Sequence, residues 1–189
     1  CLAIRVSFTG DLSWELHCGQ ADQVNLFTAL LDAAKDVDGG PVGGRALGSL
    51  RIEKGYGSWG REYSPEYWSQ EAALDRLVRL DKEFLNKAAY QAVKDNTPRE
   101  RLSVFEVEAV SDADASGGEP IFLPDGTPVG RVTSGAYGYS VDKSLALGFV
   151  KEGTASPGDT VEIFILGKPH RAALLAEPPF DPKGEKLRA

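Results

Sequence analysis

The sequence predicts an α+β chain in which a mixed helix-and-strand part is followed by a small antiparallel β-barrel. Three patterns carry that prediction. Apolar and polar residues alternate with period two in Ile4–Phe8 and again in Trp14–Cys18, the mark of half-buried strands. Between Asp22 and Lys35, the apolar residues Val24, Phe27, Leu30, Leu31 and Ala34 recur at helical spacing. Beyond Asn96-Thr97-Pro98-Arg99 the chain breaks into six short β-rich runs separated by turns, the pattern of a small barrel or sandwich.

Each element has a local reason. Thr9-Gly10-Asp11-Leu12-Ser13 supplies turn residues between the first two alternating runs, so they read as a hairpin. The helix from Asp22 carries an acid in its first turn, where the helix dipole favours it, and stops at Gly39-Gly40-Pro41. A second, short helix runs from Arg45 to about Lys54, with Leu47 and Leu50 expected to face inward. Tyr56–Ser69 is aromatic and punctuated by Gly and Pro, which makes it a loop. Leu74–Leu80 fits helix and strand equally, whereas Phe84–Lys94 reads as a helix with Ala89, Tyr90 and Val93 available for packing. The β-rich runs are Leu102–Val107, Glu119–Leu123, Val129–Thr133, Leu145–Val150, Thr160–Leu166 and Ala172–Ala176, with hairpin turns expected at Asp125-Gly126 and Gly167-Lys168. The charged tail after Pro178 is expected on the surface. Domain boundaries are accordingly set at 1–97 and 98–189, the second including the tail.

Composition excludes several classes. The net charge is −7 and Lys and Arg occur only in scattered pairs, so a phosphate backbone has no basic patch to meet. Nucleic acid is not an expected partner. No run of eighteen apolar residues exists to span a membrane, so no membrane partner is expected. Cys1 and Cys18 form no CxxC pair; a disulfide between them is one reading, and a reducing compartment, the cytoplasm or, in a eukaryote, the mitochondrial matrix, is the one expected. The chain starts inside an apolar alternation without an initiator Met and is read as a piece of a longer protein. His17 and His170 are far apart in sequence, so no His-based metal site is expected. Gly39–Gly44 is glycine-rich but interrupted by Pro41 and lacks a following Lys-Ser/Thr, which makes it a plain loop rather than a phosphate cradle.

Two charged residues stand out. Glu15 sits on the second hairpin strand between Trp14 and Leu16, and Arg51 lies between Leu50 and Ile52 in the short helix. A carboxylate or guanidinium in apolar surroundings is costly unless it is paired or holds a ligand. On composition alone, a structural ion pair, Glu15–Arg51 or Arg51–Glu53, competes with a ligand role.

Longer motifs bear on that choice. Arg5–Leu16, RVSFTGDLSWEL, resembles the Tyr-Thr-Gly-Glu-x-Gly-x-Glu hairpin of the glycine cleavage T-protein (aminomethyltransferase) family. Leu50–Gly60, LRIEKGYGSWG, resembles that family's Leu-Arg-Leu-Glu helix, in the form found in dimethylglycine and sarcosine dehydrogenases. Glu71-Ala72-Ala73-Leu74 is similar to the Glu-Ala-Gly-Leu that follows it. Gly126–Gly130, the run VTSGAYGYSVDKSLALGFV, Leu166-Gly167-Lys168 and Glu177-Pro178 are similar to the family's barrel and tail. The matches occur in order and cover nearly the whole chain.

The resemblance implies the C-terminal part of a folate-binding domain followed by a small antiparallel barrel. It implies tetrahydrofolate as cofactor, with FAD only in an upstream domain, and folate and a small N-methyl amine as partners. The implied reaction passes a one-carbon unit from an amine-derived iminium to tetrahydrofolate, giving 5,10-methylenetetrahydrofolate. A stand-alone demethylase or T-protein is the alternative, and a non-catalytic folate-fold module is a third reading. The folate-binding residues carried over are Phe8, in the place of the family's Tyr, Glu15, and Arg51. A carboxylate facing two coplanar donors makes a charge-assisted bidentate pair, which suits Glu15 to a pterin edge. Asp11 and Ser13 depart from the family hairpin, and Leu47-Gly48 from the Arg-Asp before its helix. No catalytic residue is assigned, because the family's catalytic Asp belongs to the part of the domain upstream of Cys1; the piece alone is expected to be inactive.

Overall fold

The computed structural model describes residues 1–108 and 113–189. Strands β1 (Leu2–Arg5) and β2 (Trp14–His17) form an antiparallel two-stranded sheet in which Ile4 faces Glu15 and Arg5 faces Trp14. A short 3-10 turn leads into α1 (Gln23–Lys35), and the glycine-rich segment then forms the loop to α2 (Gly44–Glu53). A long irregular stretch with one 3-10 turn at Asp75–Leu77 precedes α3 (Lys87–Val93).

The second part is a closed, all-antiparallel barrel. Its strands are β3 (Glu100–Val107), β4 (Pro120–Phe122), β5 (Pro128–Gly138), β6 (Lys143–Lys151), β7 (Thr160–Ile165) and β8 (Lys168–Leu174), in the order β3-β6-β5-β4-β7-β8 and closed by β3 on β8. The α+β class and the barrel are thus as the sequence predicts. Closure removes exposed strand edges, and alternate side chains, among them Phe105, Ile121, Val132, Val161 and Ile163, fill one continuous interior. The unbroken run Leu145–Val150 in β6 is buried on both faces. Ala146 and Val150 join the interior, whereas Leu145 and Leu147 meet Ile52 of α2 on the outside and Phe149 stacks on Tyr67.

Four local expectations are corrected. The hairpin strands are exposed along their whole length rather than half-buried. On α1 the apolar face is uncovered, with Val24, Phe27 and Leu30 all exposed. The inward face of α2 is polar: Ser49, Arg51 and Glu53 are buried with Ile52, and Leu47 is exposed. The β7–β8 turn centres on Leu166-Gly167, both at positive φ, because Ile165 pairs with Lys168. The Asp125-Gly126 turn forms as expected, with the Asp125 carboxylate accepting the Thr127 N–H at 2.9 Å.

Candidate functional site

The β1–β2 turn, the loop after α2 and the end of the chain line an open cavity of about 460 Å³. Phe8, Tyr56 and Tyr63 give it aromatic surface, Leu74, Leu77 and Leu187 aliphatic surface, and Arg5, Arg76 and Arg188 positive charge. The sequence brings these together by turns. Gly57 allows the Tyr63 ring to lie against the main chain: its N–H donates to the Tyr63 hydroxyl at 3.0 Å, and a Cβ there would sit 2.7 Å from the ring and 2.6 Å from Glu62. Burial raises the Tyr63 phenol above its ordinary value, so it stays protonated at neutral pH. Arg5 donates from Nη2 to the carbonyls of Leu187 and Ala189, at 3.4 and 3.5 Å, which draws the tail to the hairpin.

Behind the cavity lies a buried polar network. Glu62 is completely buried and accepts five hydrogen bonds. Its Oε1 takes the hydroxyls of Thr133 and Ser134, each at 2.6 Å. Its Oε2 takes the Ser58 N–H at 2.8 Å, the Ser58 hydroxyl at 3.3 Å and Arg51 Nη1 at 3.3 Å. Consecutive strand residues normally point to opposite faces, so Thr133 and Ser134 reach the same oxygen only because β5 shifts register between Val132 and Ser134. Burial works against ionisation of Glu62, but the hydroxyl and amide donors outweigh it and leave the carboxyl below its ordinary value. Arg51, lowered by burial and held by Glu62, completes the network by donating to the Tyr56 carbonyl at 3.0 Å and the Ser134 hydroxyl at 2.7 Å.

Of the three sequence-derived folate residues, Phe8 alone lines the cavity. Arg51 stands behind it with both terminal nitrogens given to protein acceptors; its ion-pair partner is Glu62, neither of the two partners, Glu15 and Glu53, that the sequence offered as the alternative to a ligand role. Glu15 lies on β2 outside the cavity, its side chain 60% exposed and its carboxylate 3.4 Å from His17 Nε2. On its face of the two-stranded sheet Leu2 and Ile4 are also exposed, while Trp14 and Leu16 are exposed on the opposite face. Sequence reasoning missed Tyr56, Tyr63, Arg76, Arg188 and Glu62. The aromatic after Lys54-Gly55 was the visible signal; the rest depends on contacts across the fold.

A second ion pair fastens the same loop to the barrel. Glu71 is completely buried and receives Arg99 through its main-chain N–H and two guanidinium nitrogens at 2.8–3.0 Å. Those bonds hold the Glu71 carboxyl at a pKa of about 2. Among the described residues, no cluster of three or more His, Cys, Asp or Glu is placed to hold a metal ion.

Comparison with known proteins agrees with this architecture. The model of the GCVT N-terminal domain matches residues 1–82, and that of the glycine cleavage T-protein C-terminal barrel domain matches residues 100–181. Mouse mitochondrial dimethylglycine dehydrogenase is 37% identical over 178 residues, covering 93% of this chain and 20% of that protein. The aminomethyltransferase of Moorella thermoacetica is 31% identical, covering 94% of this chain and 48% of its own length. The crystal structure of the glycine cleavage system aminomethyltransferase T from Bartonella henselae superposes with a TM-score of 0.81 at 24% identity, over 95% of this chain and 50% of that one, which supports the fold. The chain therefore spans half or less of these relatives. With both models matched in order across most of its length, the chain belongs to the glycine cleavage T-protein family.

Proposed function

We propose that this chain contributes one side of a tetrahydrofolate site in a one-carbon transfer enzyme of the dimethylglycine dehydrogenase or aminomethyltransferase kind. The observation that carries this reading is the cavity, which combines flat aromatic walls with three guanidinium groups. A reduced folate is a flat ring system with an anionic glutamate end, so the residues present fit it: rings stack on rings, and carboxylates meet arginines. Tetrahydrofolate, when bound, supplies the nitrogens that accept the one-carbon unit. The chain's own residues hold and orient it. Phe8 and Tyr56 offer ring faces and Arg51 fixes the Tyr56 main chain from behind; Glu15, outside the cavity on β2, is proposed to meet pterin N–H donors once the rest of the domain covers that face. Positioning of this kind is the protein's main contribution where a cofactor carries the chemistry.

In this reading residues 1–97 are the C-terminal portion of the folate domain and 98–189 the barrel domain with its tail. The exposed face of the β1–β2 sheet that carries Leu2, Ile4 and Glu15 is the place where the rest of the folate domain packs, turning an open carboxylate into a buried one. An N-methyl amine, oxidised to an iminium by an upstream FAD domain, supplies the carbon. The enzyme works in a reducing compartment, cytoplasmic or mitochondrial; among the described residues no helix is long and apolar enough to cross a membrane.

Calorimetric titration with 5-formyltetrahydrofolate, a stable reduced folate, tests the proposal. The full-length protein is expected to bind it and the 189-residue chain alone to bind weakly or not at all. Absence of binding by the full-length protein would refute the folate reading.

A further inference from the structure

Both walls of the cavity are tied to a single buried side chain. Lys54, just beyond α2, is 4% exposed. Its methylene stem lies against Gly10 in the β1–β2 turn so closely that a Cβ on Gly10 would come within 2.6 Å of Lys54 Cγ and Cδ. That turn carries Ser7, Phe8 and Ser13 to one wall. The ammonium end donates to the main-chain carbonyl of Asp181 and, at 3.0 Å, to its carboxylate Oδ2. Asp181 in turn shapes the tail. Its carbonyl accepts the Gly184 N–H at 2.8 Å and its Oδ1 accepts the Glu185 N–H at 2.7 Å, while Phe180 N–H reaches the Glu53 carbonyl at 3.1 Å. From this folded tail Leu187 and Arg188 reach the opposite wall.

We infer that Lys54 is a positioning residue that sets the spacing between the hairpin wall and the tail wall of the cavity, and hence the ligand thickness the site accepts. A buried ion pair is no better for stability than an apolar pair of similar volume, so its distinctive contribution here is register. A methionine would fill the same space under Gly10 without fixing where the tail docks. The identity of the ligand rests on the folate reading above; the positioning role rests on the contacts alone.

Hydrogen exchange by mass spectrometry on full-length Lys54→Met, together with folate kinetics, tests this. Amides of Phe180, Gly184 and Glu185 should exchange at least about tenfold faster than in the wild type while the barrel strands are unchanged. The KM for tetrahydrofolate should rise about tenfold with kcat within about twofold. Asp181→Asn, which removes the charge but keeps an acceptor for Glu185, should reproduce both effects, and the double variant should be no worse than either single one. Should Lys54→Met fail to fold, Asp181→Asn carries the comparison alone. Unchanged tail exchange, or effects that add in the double variant, would overturn the inference. If the wild type binds no folate the functional reading fails, and the exchange data still decide the role of Lys54.

Discussion

Replacing Glu62 by Gln tests the polar network with almost no change of shape. In the native protein the carboxylate accepts from Thr133 and Ser134 on one oxygen and from Ser58 and Arg51 on the other. The amide of Gln can turn its NH2 toward the two hydroxyls, which can rotate to accept it; Thr133 already has a second acceptor in the Leu147 carbonyl at 3.2 Å. What cannot be recovered is charge. The Ser58 N–H bond loses its ionic acceptor, and Arg51, 6% exposed, becomes a buried guanidinium without a counterion. A hydrogen bond to a charged group contributes about 1.5–3 kcal/mol against about 1 for a neutral one, and breaking a buried pair costs about 3–5 kcal/mol when nothing replaces the partner. With the Tyr56 carbonyl and Ser134 still bonded to Arg51, Glu62→Gln should destabilise the protein by about 2–4 kcal/mol. Urea unfolding followed by circular dichroism measures this directly. The double variant Arg51→Met/Glu62→Leu, which removes both charges, should lose less than the sum of Arg51→Met and Glu62→Leu alone. A Glu62→Gln variant within about 0.5 kcal/mol of wild type, the range of a neutral surface change, would refute the network's role.

Three further outcomes follow from other sites. Because the folded-state pKa of Glu71, about 2, is below the ordinary 4.5, its pairing with Arg99 stabilises the protein fully above about pH 4.5 and is lost as pH falls toward 2. Discounted for the exposure of Arg99, Glu71→Gln should cost about 2 kcal/mol at pH 7 and flatten the acid limb of a stability–pH curve, and an unchanged limb would contradict the pairing. Gly57→Ala, which drives a methyl into Glu62 and the Tyr63 ring, should cost about 1–3 kcal/mol in urea unfolding. Leu166, exposed at φ 48° in the two-residue β7–β8 turn, pairs poorly with that geometry, so Leu166→Asn should raise stability by about 0.5–1 kcal/mol, read as a higher melting temperature.

How much of this was legible in the sequence depends on the range of the contacts involved. The barrel strands were visible because short β-rich runs bounded by turn residues are a local signal, whereas the burial of β6 on both faces shows only in the fold. The inward face of α2 was misassigned because apolar spacing places Leu47 inside, while the actual interior contacts run from Arg51 to Glu62 and Ser134, 11 and 83 positions away. No periodicity encodes a buried ion pair whose partners lie on a loop and a bulged strand. The half-burial expected of the hairpin failed for the opposite reason: alternation shows which face seeks cover, and the described residues do not supply it. Phe8 was found through a hairpin motif, whereas Tyr63, Arg76 and Arg188 reach the cavity from a loop, a 3-10 turn and the tail, with no shared pattern.

The role of Glu15 is the sharpest point of the account. In the full-length protein, Glu15→Ala should weaken binding of 5-formyltetrahydrofolate by about 1–3 kcal/mol in isothermal titration, the cost of leaving a buried N–H donor without its charged acceptor; among the described residues its carboxylate has one charged partner, His17. An affinity equal to wild type would return Glu15 to the surface of the hairpin and remove the carboxylate from the folate site.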